Sequence, residues 1–152
     1  LDYLDITHVE GKAYSDNDFF RDFAEAYGNY LATKEGQTSY GKEYQQDMAP
    51  FEELTFILNE NGTLYKFAKE FWEELSTQNG QQIYGPGLYS AYPGYFVNEE
   101  ASQNFTSDFS NSFAEFVVSE KPEGDSVIDQ KIKFFYGYPE FVSVRERLRP
   151  LR

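Results

Sequence analysis

The sequence predicts a mostly α, compact multi-helix domain with one long irregular loop rich in aromatic residues, glycine and proline. Three observations support this fold class. Apolar side chains recur every three to four residues in several segments, which is the spacing of a buried helical face. Residues that favour helix ends flank these segments. The chain has 15 Phe and 13 Tyr against one Met, so its core is predicted to be built largely from rings.

The first predicted helix runs from Ser15 to Thr33. Ser15 and Asp18 have nearly the spacing of a capping box, and Gly36 follows the helix end. The apolar side chains of this segment form one broad face. They are Phe19, Phe20, Phe23, Tyr27, Tyr30 and Leu31.

The segment after Pro50 admits two interpretations. A short helix carrying Phe51, Leu54, Ile57 and Leu58 could precede a turn and a second helix. Alternatively, 54–58 and 63–67 could pair as one small β-hairpin near 54–67, around a turn that ends in Asn-Gly. Strict helical spacing continues further along the chain, so we favour helix–turn–helix, ending near Asn79-Gly80. The residues with this spacing are Leu64, Phe67, Ala68, Phe71, Trp72 and Leu75.

The segment 81–100 is the longest one predicted to be irregular, because glycine and proline interrupt it repeatedly. An ordered loop of this length is often functional. Its rings could stack on sugar faces or grip a peptide, or they could simply cover the helices beneath, and the sequence favours neither. These candidate ligand-binding residues are Tyr84, Tyr89, Tyr92, Tyr95 and Phe96.

Three helices joined by short breaks are predicted in the last third of the chain. The first carries Phe105, Phe109, Phe113, Phe116 and Val117 on one side. Its N-cap oxygens are expected from Thr106, Ser107 and Asp108.

The second of these helices is expected to open at Asp125 or Ser126 and to end at Gly137. Pro139 fits the first turn of the third. The second helix is predicted to bury Ile128, Ile132, Phe135 and Tyr136, and the third Phe141, Val144 and Leu148.

Charge and composition exclude several classes of function. The formal net charge of −13 disfavours binding to nucleic acid and to anionic membrane surfaces. Residues 130–152 are the exception, with six Lys or Arg against two Glu, a net of +4. The absence of cysteine rules out disulfides and thiol catalysis. No run approaches the roughly 20 apolar residues of a membrane helix, so no membrane insertion is expected.

Catalytic and metal-binding candidates are few. His8 is the only histidine, and a single histidine rarely makes a zinc site. Asp108 and Glu115 lie seven residues apart on roughly one helix face, which is more typical of a solvated face than of a catalytic pair. His8, Asp108 and Glu115 are therefore only weak candidates for metal ligands, and the sequence contains no catalytic motif.

Two motifs carry a resemblance to a known family. SDFSNSFAEFV, from Ser107, and KIKFFYGYPEFVSVRERLR, from Lys131, resemble the C-terminal end of bacterial extracellular gluzincin-like zinc metallopeptidases, which are distantly like the lethal-factor peptidase domain. In that family an HExxH helix supplies two zinc-binding histidines and the general-base glutamate. A later helix of the form E-D-F-A-E-S-F-A supplies the remaining acidic ligand.

The resemblance places the family's two glutamates on Ser107 and Asn111, while Asp108, Phe109, Ser112, Phe113 and Ala114 match. Neither serine nor asparagine suits zinc at these positions. The chain also lacks HExxH. The resemblance therefore implies a scaffold that has lost its metal, or a catalytic half that lies elsewhere.

We expect 1–152 to form a single domain, or the C-terminal portion of a larger peptidase-like protein. Its start at Leu1 suggests that a leader has been removed, as in an exported or cell-surface bacterial protein or a lipoprotein. The expected function is non-catalytic binding of an extracellular peptide, protein or glycan without a cofactor. The alternatives are a portion of an active zinc metallopeptidase, with zinc as cofactor, and a structural domain that docks a partner.

Overall fold

The structure of the chain, a computed structural model, describes residues 15–39, 57–77 and 87–151. These residues are mostly helical, which confirms the predicted fold class. The helices are α1 (Asp16–Thr33), α2 (Thr63–Thr77), α3 (Gly87–Ala91), α4 (Phe105–Val118), α5 (Val127–Tyr136) and α6 (Pro139–Leu148). Short 3-10 turns at Glu100–Ser102 and Arg149–Leu151 precede α4 and follow α6.

Helix α4 is the centre of the fold, because α1, α2, α5 and α6 all pack on it. Ten of its residues are buried, including the polar residues Asp108, Ser110, Asn111 and Ser112. Buried polar groups require hydrogen-bond partners. The neighbours of α4 must therefore supply both an apolar surface and specific polar contacts.

Edge-to-face phenylalanine pairs form the core between α2, α4, α5 and α6, as the composition predicted. Phe109 and Phe135 have ring centroids 5.0 Å apart at 78°, and Phe113 lies 5.5 Å from Phe135 at 80°. Phe67 of α2 meets Phe109 at 5.4 Å and 77°. Such edge-to-face contacts stabilise beyond the area that they bury.

Helix α1 approaches α4 unusually closely, because the facing side of α1 carries small residues. Ala24, Gly28 and Ala32, spaced by four, are all buried. A Cβ added at Gly28 would lie 3.0 Å from the Cα and the carbonyl oxygen of Ser110. The backbone of α4 therefore occupies the space that a side chain at position 28 would need.

Most helix ends lie where the sequence predicts them. Ser15 and Asp18 form the predicted capping box of α1, and Ser126 forms another with Asp129 at the start of α5. Pro139 stands in the first turn of α6. The expected caps of α4 were wrong, because Asn104 is the N-cap and accepts from the Ser107 N–H at 2.8 Å.

The segment around residue 60 differs from both interpretations of the sequence. Ile57–Leu58 is a short strand that pairs antiparallel with Thr38–Ser39, so a helix there was wrong. Residues 63–67 belong to α2, so the hairpin near 54–67 was wrong in its second strand. The predicted helix stop at Asn79-Gly80 lies outside the described residues.

The start of α2 shows why a helix forms here instead of a hairpin. The Gln37 side-chain oxygen accepts from the Leu64 N–H at 3.0 Å and from the Thr63 hydroxyl at 3.3 Å, and so satisfies donors that a helix start leaves open. The apolar residues from Leu64 to Leu75 are buried in the core.

We predict that Gly28→Leu destabilises the protein, because the new side chain must separate α1 from α4. The expected loss is about 1–3 kcal/mol in the free energy of unfolding, measured by denaturant titration. Asn29→Leu places the same side chain at the adjacent exposed position and should change stability by no more than about 0.5 kcal/mol. Equal effects of the two substitutions would contradict the close packing at position 28.

Candidate functional site

The aromatic segment predicted to be irregular is partly helical. Gly87–Ala91 forms α3, and turns and bends follow from residue 92 to the 3-10 turn before α4. The prediction of an irregular loop was therefore wrong for 87–91. Tyr84 and the rest of 81–86 lie outside the described residues.

Two of the predicted ligand-binding rings make contacts with α2. Phe96 is only 2% exposed and packs on Trp72, with centroids 5.6 Å apart. The Tyr95 hydroxyl donates to the Phe71 carbonyl of α2. Burial, and then the nearby charge of Asp108, raise the pKa of Tyr95. These contacts fasten the segment to α2.

The other two described rings lie further out. Tyr92 is half-buried against Tyr95, with centroids 6.0 Å apart. Tyr89 on α3 is 38% exposed. Of the four candidate rings in the described part of the segment, Tyr89 is therefore the one that a ligand can reach most readily.

A buried ion pair lies beneath this segment. Lys131 Nζ of α5 is 2.7 Å from Asp108 Oδ2 of α4, and both side chains have no solvent exposure. The Trp72 indole N–H donates to the same carboxylate at 2.8 Å, and the Ser112 hydroxyl donates to its other oxygen at 3.3 Å. Asp108 thus has three partners from three helices.

Lys131 also holds the aromatic segment. Its ammonium donates to the Tyr95 carbonyl at 2.8 Å and lies 4.2 Å and 4.3 Å from the ring centroids of Tyr95 and Phe96, within cation–π range. Burial raises the pKa of Asp108 and lowers that of Lys131, and their mutual attraction opposes both shifts. This cluster, comprising Trp72, Tyr95, Asp108 and Lys131, joins α2, α4, α5 and the aromatic segment.

Of the three weak metal-ligand candidates, the structure describes Asp108 and Glu115, which form separate ion pairs. Asp108 is committed to Lys131, and Glu115 pairs with Arg21 of α1 at 3.0 Å. His8 lies outside the described residues. Within 15–39, 57–77 and 87–151, no group of three His, Cys, Asp or Glu residues is arranged to hold a metal ion.

A second polar network links α1 to α4 and to the turn before α4. The Asn111 side-chain amide donates to Glu25 Oε1 at 3.1 Å and to the Ser107 carbonyl at 3.1 Å. The Asn111 side-chain oxygen accepts from the Asn98 amide at 2.6 Å. Burial raises the pKa of Glu25, as does the nearby Glu100, whereas Arg21 and Asn111 oppose the shift.

Sequence reasoning missed Lys131, although its position carried a signal. It lies three residues after Ile128 and four before Phe135, on the apolar face of α5. A charged residue at such a position is rarely buried unless it is paired. Asp108 likewise lies among apolar residues on α4, between Phe105 and Phe109. Two opposite charges on apolar helix faces could have been predicted to form a buried ion pair.

Comparisons with protein-family models, with curated proteins and with solved structures find no match to this chain. No helix among the described residues combines the length and the apolar character needed to cross a bilayer.

We predict that Asp108→Asn destabilises the protein by about 3–5 kcal/mol, because it leaves a buried ammonium without its counter-charge. Adding Lys131→Met should recover most of this loss, since the double variant buries no charge. The measurement is a double-mutant cycle from denaturant unfolding. Lys133→Met, which breaks a pair with the exposed Asp125, is the control and should cost at most about 1 kcal/mol. A double variant as unstable as the sum of its parts would contradict the pairing.

Proposed function

We propose that this chain is a non-catalytic, exported, metallopeptidase-like domain that binds an extracellular peptide or glycan. The hydrogen bond between Asn111 and Glu25 carries the first part of this proposal. Through this bond, Glu25 of α1 stands opposite Asn111 of α4. Asn111 is one of the two positions at which the metallopeptidase family that this chain resembles has a glutamate.

The pairing of α1 with α4 gives this correspondence. Arg21 contacts Glu115, and Glu25 contacts Asn111, so the two helices run antiparallel. Asn29, one helical turn beyond Glu25, therefore stands towards the end of α4 that carries Ser107. Glu25 and Asn29 have the spacing of the two histidines in HExxH, and Ala26 then takes the place of the general-base glutamate.

These residues do not fit a zinc ion. A catalytic zinc site needs about three His, Cys or carboxylate ligands, whereas Glu25, Asn29 and Ser107 offer one carboxylate. Glu25 Oε1 already accepts a hydrogen bond from the Asn111 amide, and Glu25 Oε2 lies 3.6 Å from Arg21 Nη1. At the position of the general base, Ala26 cannot accept a proton. We therefore propose no hydrolytic step.

The same geometry weighs against the alternative in which an HExxH segment lies outside this chain. Such a helix would have to pack on the face of α4 that carries Ser107 and Asn111. Helix α1 already occupies this face, with the backbone at Gly28 in close contact with Ser110. A second helix could enter only by displacing α1.

The proposed ligand surface is centred on Tyr89. The segment behind it is fastened by the Tyr95 hydroxyl and by the bond from Lys131 to the Tyr95 carbonyl. Binding to a surface that is already ordered costs little conformational entropy. An exposed tyrosine on such a support can stack on a sugar or an apolar peptide side chain while its hydroxyl makes a hydrogen bond.

We predict that the wild-type chain does not bind zinc stoichiometrically, whereas Glu25→His, Asn29→His and Ser107→Glu together create a site for one zinc ion. Isothermal titration and metal analysis after dialysis provide the measurement. The control combines Ser107→Glu with Asp22→His and Ala26→His, which have the same spacing at another position of α1. Zinc binding by the wild-type chain would overturn the non-catalytic assignment, and failure of the first triple variant would remove the correspondence between α1 and HExxH.

We predict that Tyr89→Ala reduces binding to peptides or glycans selected on arrays by about tenfold, equivalent to about 1.4 kcal/mol, because the stacking ring is lost. The melting temperature should be nearly unchanged, since Tyr89 is exposed. Tyr30→Ala is the matched control, because Tyr30 is similarly exposed, at 40%, but lies on α1. Equal losses of affinity in the two variants would favour the partner-docking alternative. A stable complex with another chain, without any peptide or glycan ligand, would favour it as well.

A further inference from the structure

The end of α4 next to α5 and α6 carries a cluster of positive charge. Lys121, Arg145 and Arg149 lie here around Tyr136, and Glu120 is the one carboxylate that the described contacts place among them. This local excess of cations stands out against the net charge of −13 for the whole chain. Opposite charge draws binding partners together, so an anionic group is the natural ligand for this surface.

Arg145 is held in place by α4. Its guanidinium donates to the Phe116 carbonyl at 2.6 Å and to the Ser119 carbonyl at 2.8 Å, and so caps the negative end of that helix. The same guanidinium lies 5.5 Å from the Tyr136 ring centroid. Arg145 therefore supplies a fixed positive charge beside Tyr136, partly balanced by the helix end.

Tyr136 adds a donor without an acceptor. Among the residues that the structure describes, its hydroxyl is the one buried side-chain polar atom with no hydrogen-bond partner. A buried polar group without a partner is costly. Lys121 Nζ lies over the ring, 4.8 Å from its centroid, and Lys121 itself is exposed. The lysine side chain can thus rearrange when a ligand binds at this surface without disturbing the core.

The structure shows that a carboxylate can approach this cluster. Arg149 forms an ion pair with Glu120, whose side chain is 84% exposed. Both Glu120 oxygens accept hydrogen bonds from Arg149, and because Glu120 is held from the solvent side, another carboxylate can compete for the same guanidinium. A carboxylate from another molecule could therefore replace Glu120 at Arg149 and also accept from the Tyr136 hydroxyl.

We propose that Tyr136, Lys121, Arg145 and Arg149 form a carboxylate-binding site for an acidic segment of a partner polypeptide. The site is separate from Tyr89 and would stand even if the surface around Tyr89 bound nothing. The cations attract the segment, the Arg145 guanidinium stays on the end of α4, and the Tyr136 hydroxyl donates to a carboxylate oxygen. A charge-assisted bond of this kind is stronger than one between neutral groups.

The test uses isothermal titration to measure the binding of an N-acetylated hexaglutamate peptide to the whole chain at low ionic strength. Tyr136→Phe should weaken binding by about tenfold without lowering the melting temperature, because it removes a hydroxyl that has no partner in the free protein. Arg149→Gln should weaken binding at least as much. Arg147→Gln removes the same charge from an exposed position on α6, and should retain most of the affinity.

Two results would overturn the proposal. Unchanged binding by Tyr136→Phe, or equal losses for Arg147→Gln and Arg149→Gln, would mean that the peptide responds only to overall charge. Inorganic phosphate is titrated in parallel. If the wild-type chain binds phosphate but not hexaglutamate, and Tyr136→Phe abolishes the phosphate binding, the site belongs to a small anion instead of a polypeptide.

Discussion

The buried ion pair between Asp108 and Lys131 is the interaction on which the arrangement of the domain depends. It joins the central helix α4 to α5, and through Trp72 and the Tyr95 carbonyl it reaches α2 and the aromatic segment. A buried pair contributes little net stability compared with a well-packed apolar pair, but losing one partner is severe. We infer that its main effect is on specificity, because a packing that separated these two residues would leave a buried charge alone.

The pair also decides which aromatic residues are available for binding. Phe96 and Tyr95 cover the Lys131 ammonium, with Phe96 inside the core and Tyr95 packed against it. Tyr89 lies on α3, before this anchored stretch, and remains exposed. The contacts of Lys131 with Tyr95 and Phe96 thus account for the position of this stretch.

The sequence predicted the helices well and the site less well, for physical reasons. Helical periodicity and end signals such as Ser15, Ser126 and Pro139 are local, and the structure retains them. The burial of Tyr95 depends on Lys131, 36 residues away, and no local pattern reports such a contact. The hairpin interpretation failed because Gln37, far from α2 in sequence, satisfies the start of that helix.

The buried polar residues on the two faces of α4 are satisfied in different ways. On one face, Asp108 is neutralised by Lys131. On the face towards α1, Asn111 is satisfied by Glu25, by Asn98 and by its own helix. An asparagine can both donate and accept, so it closes this network without a cation. The close contact at Gly28 and the polar contacts of Glu25 and Arg21 together hold α1 on α4.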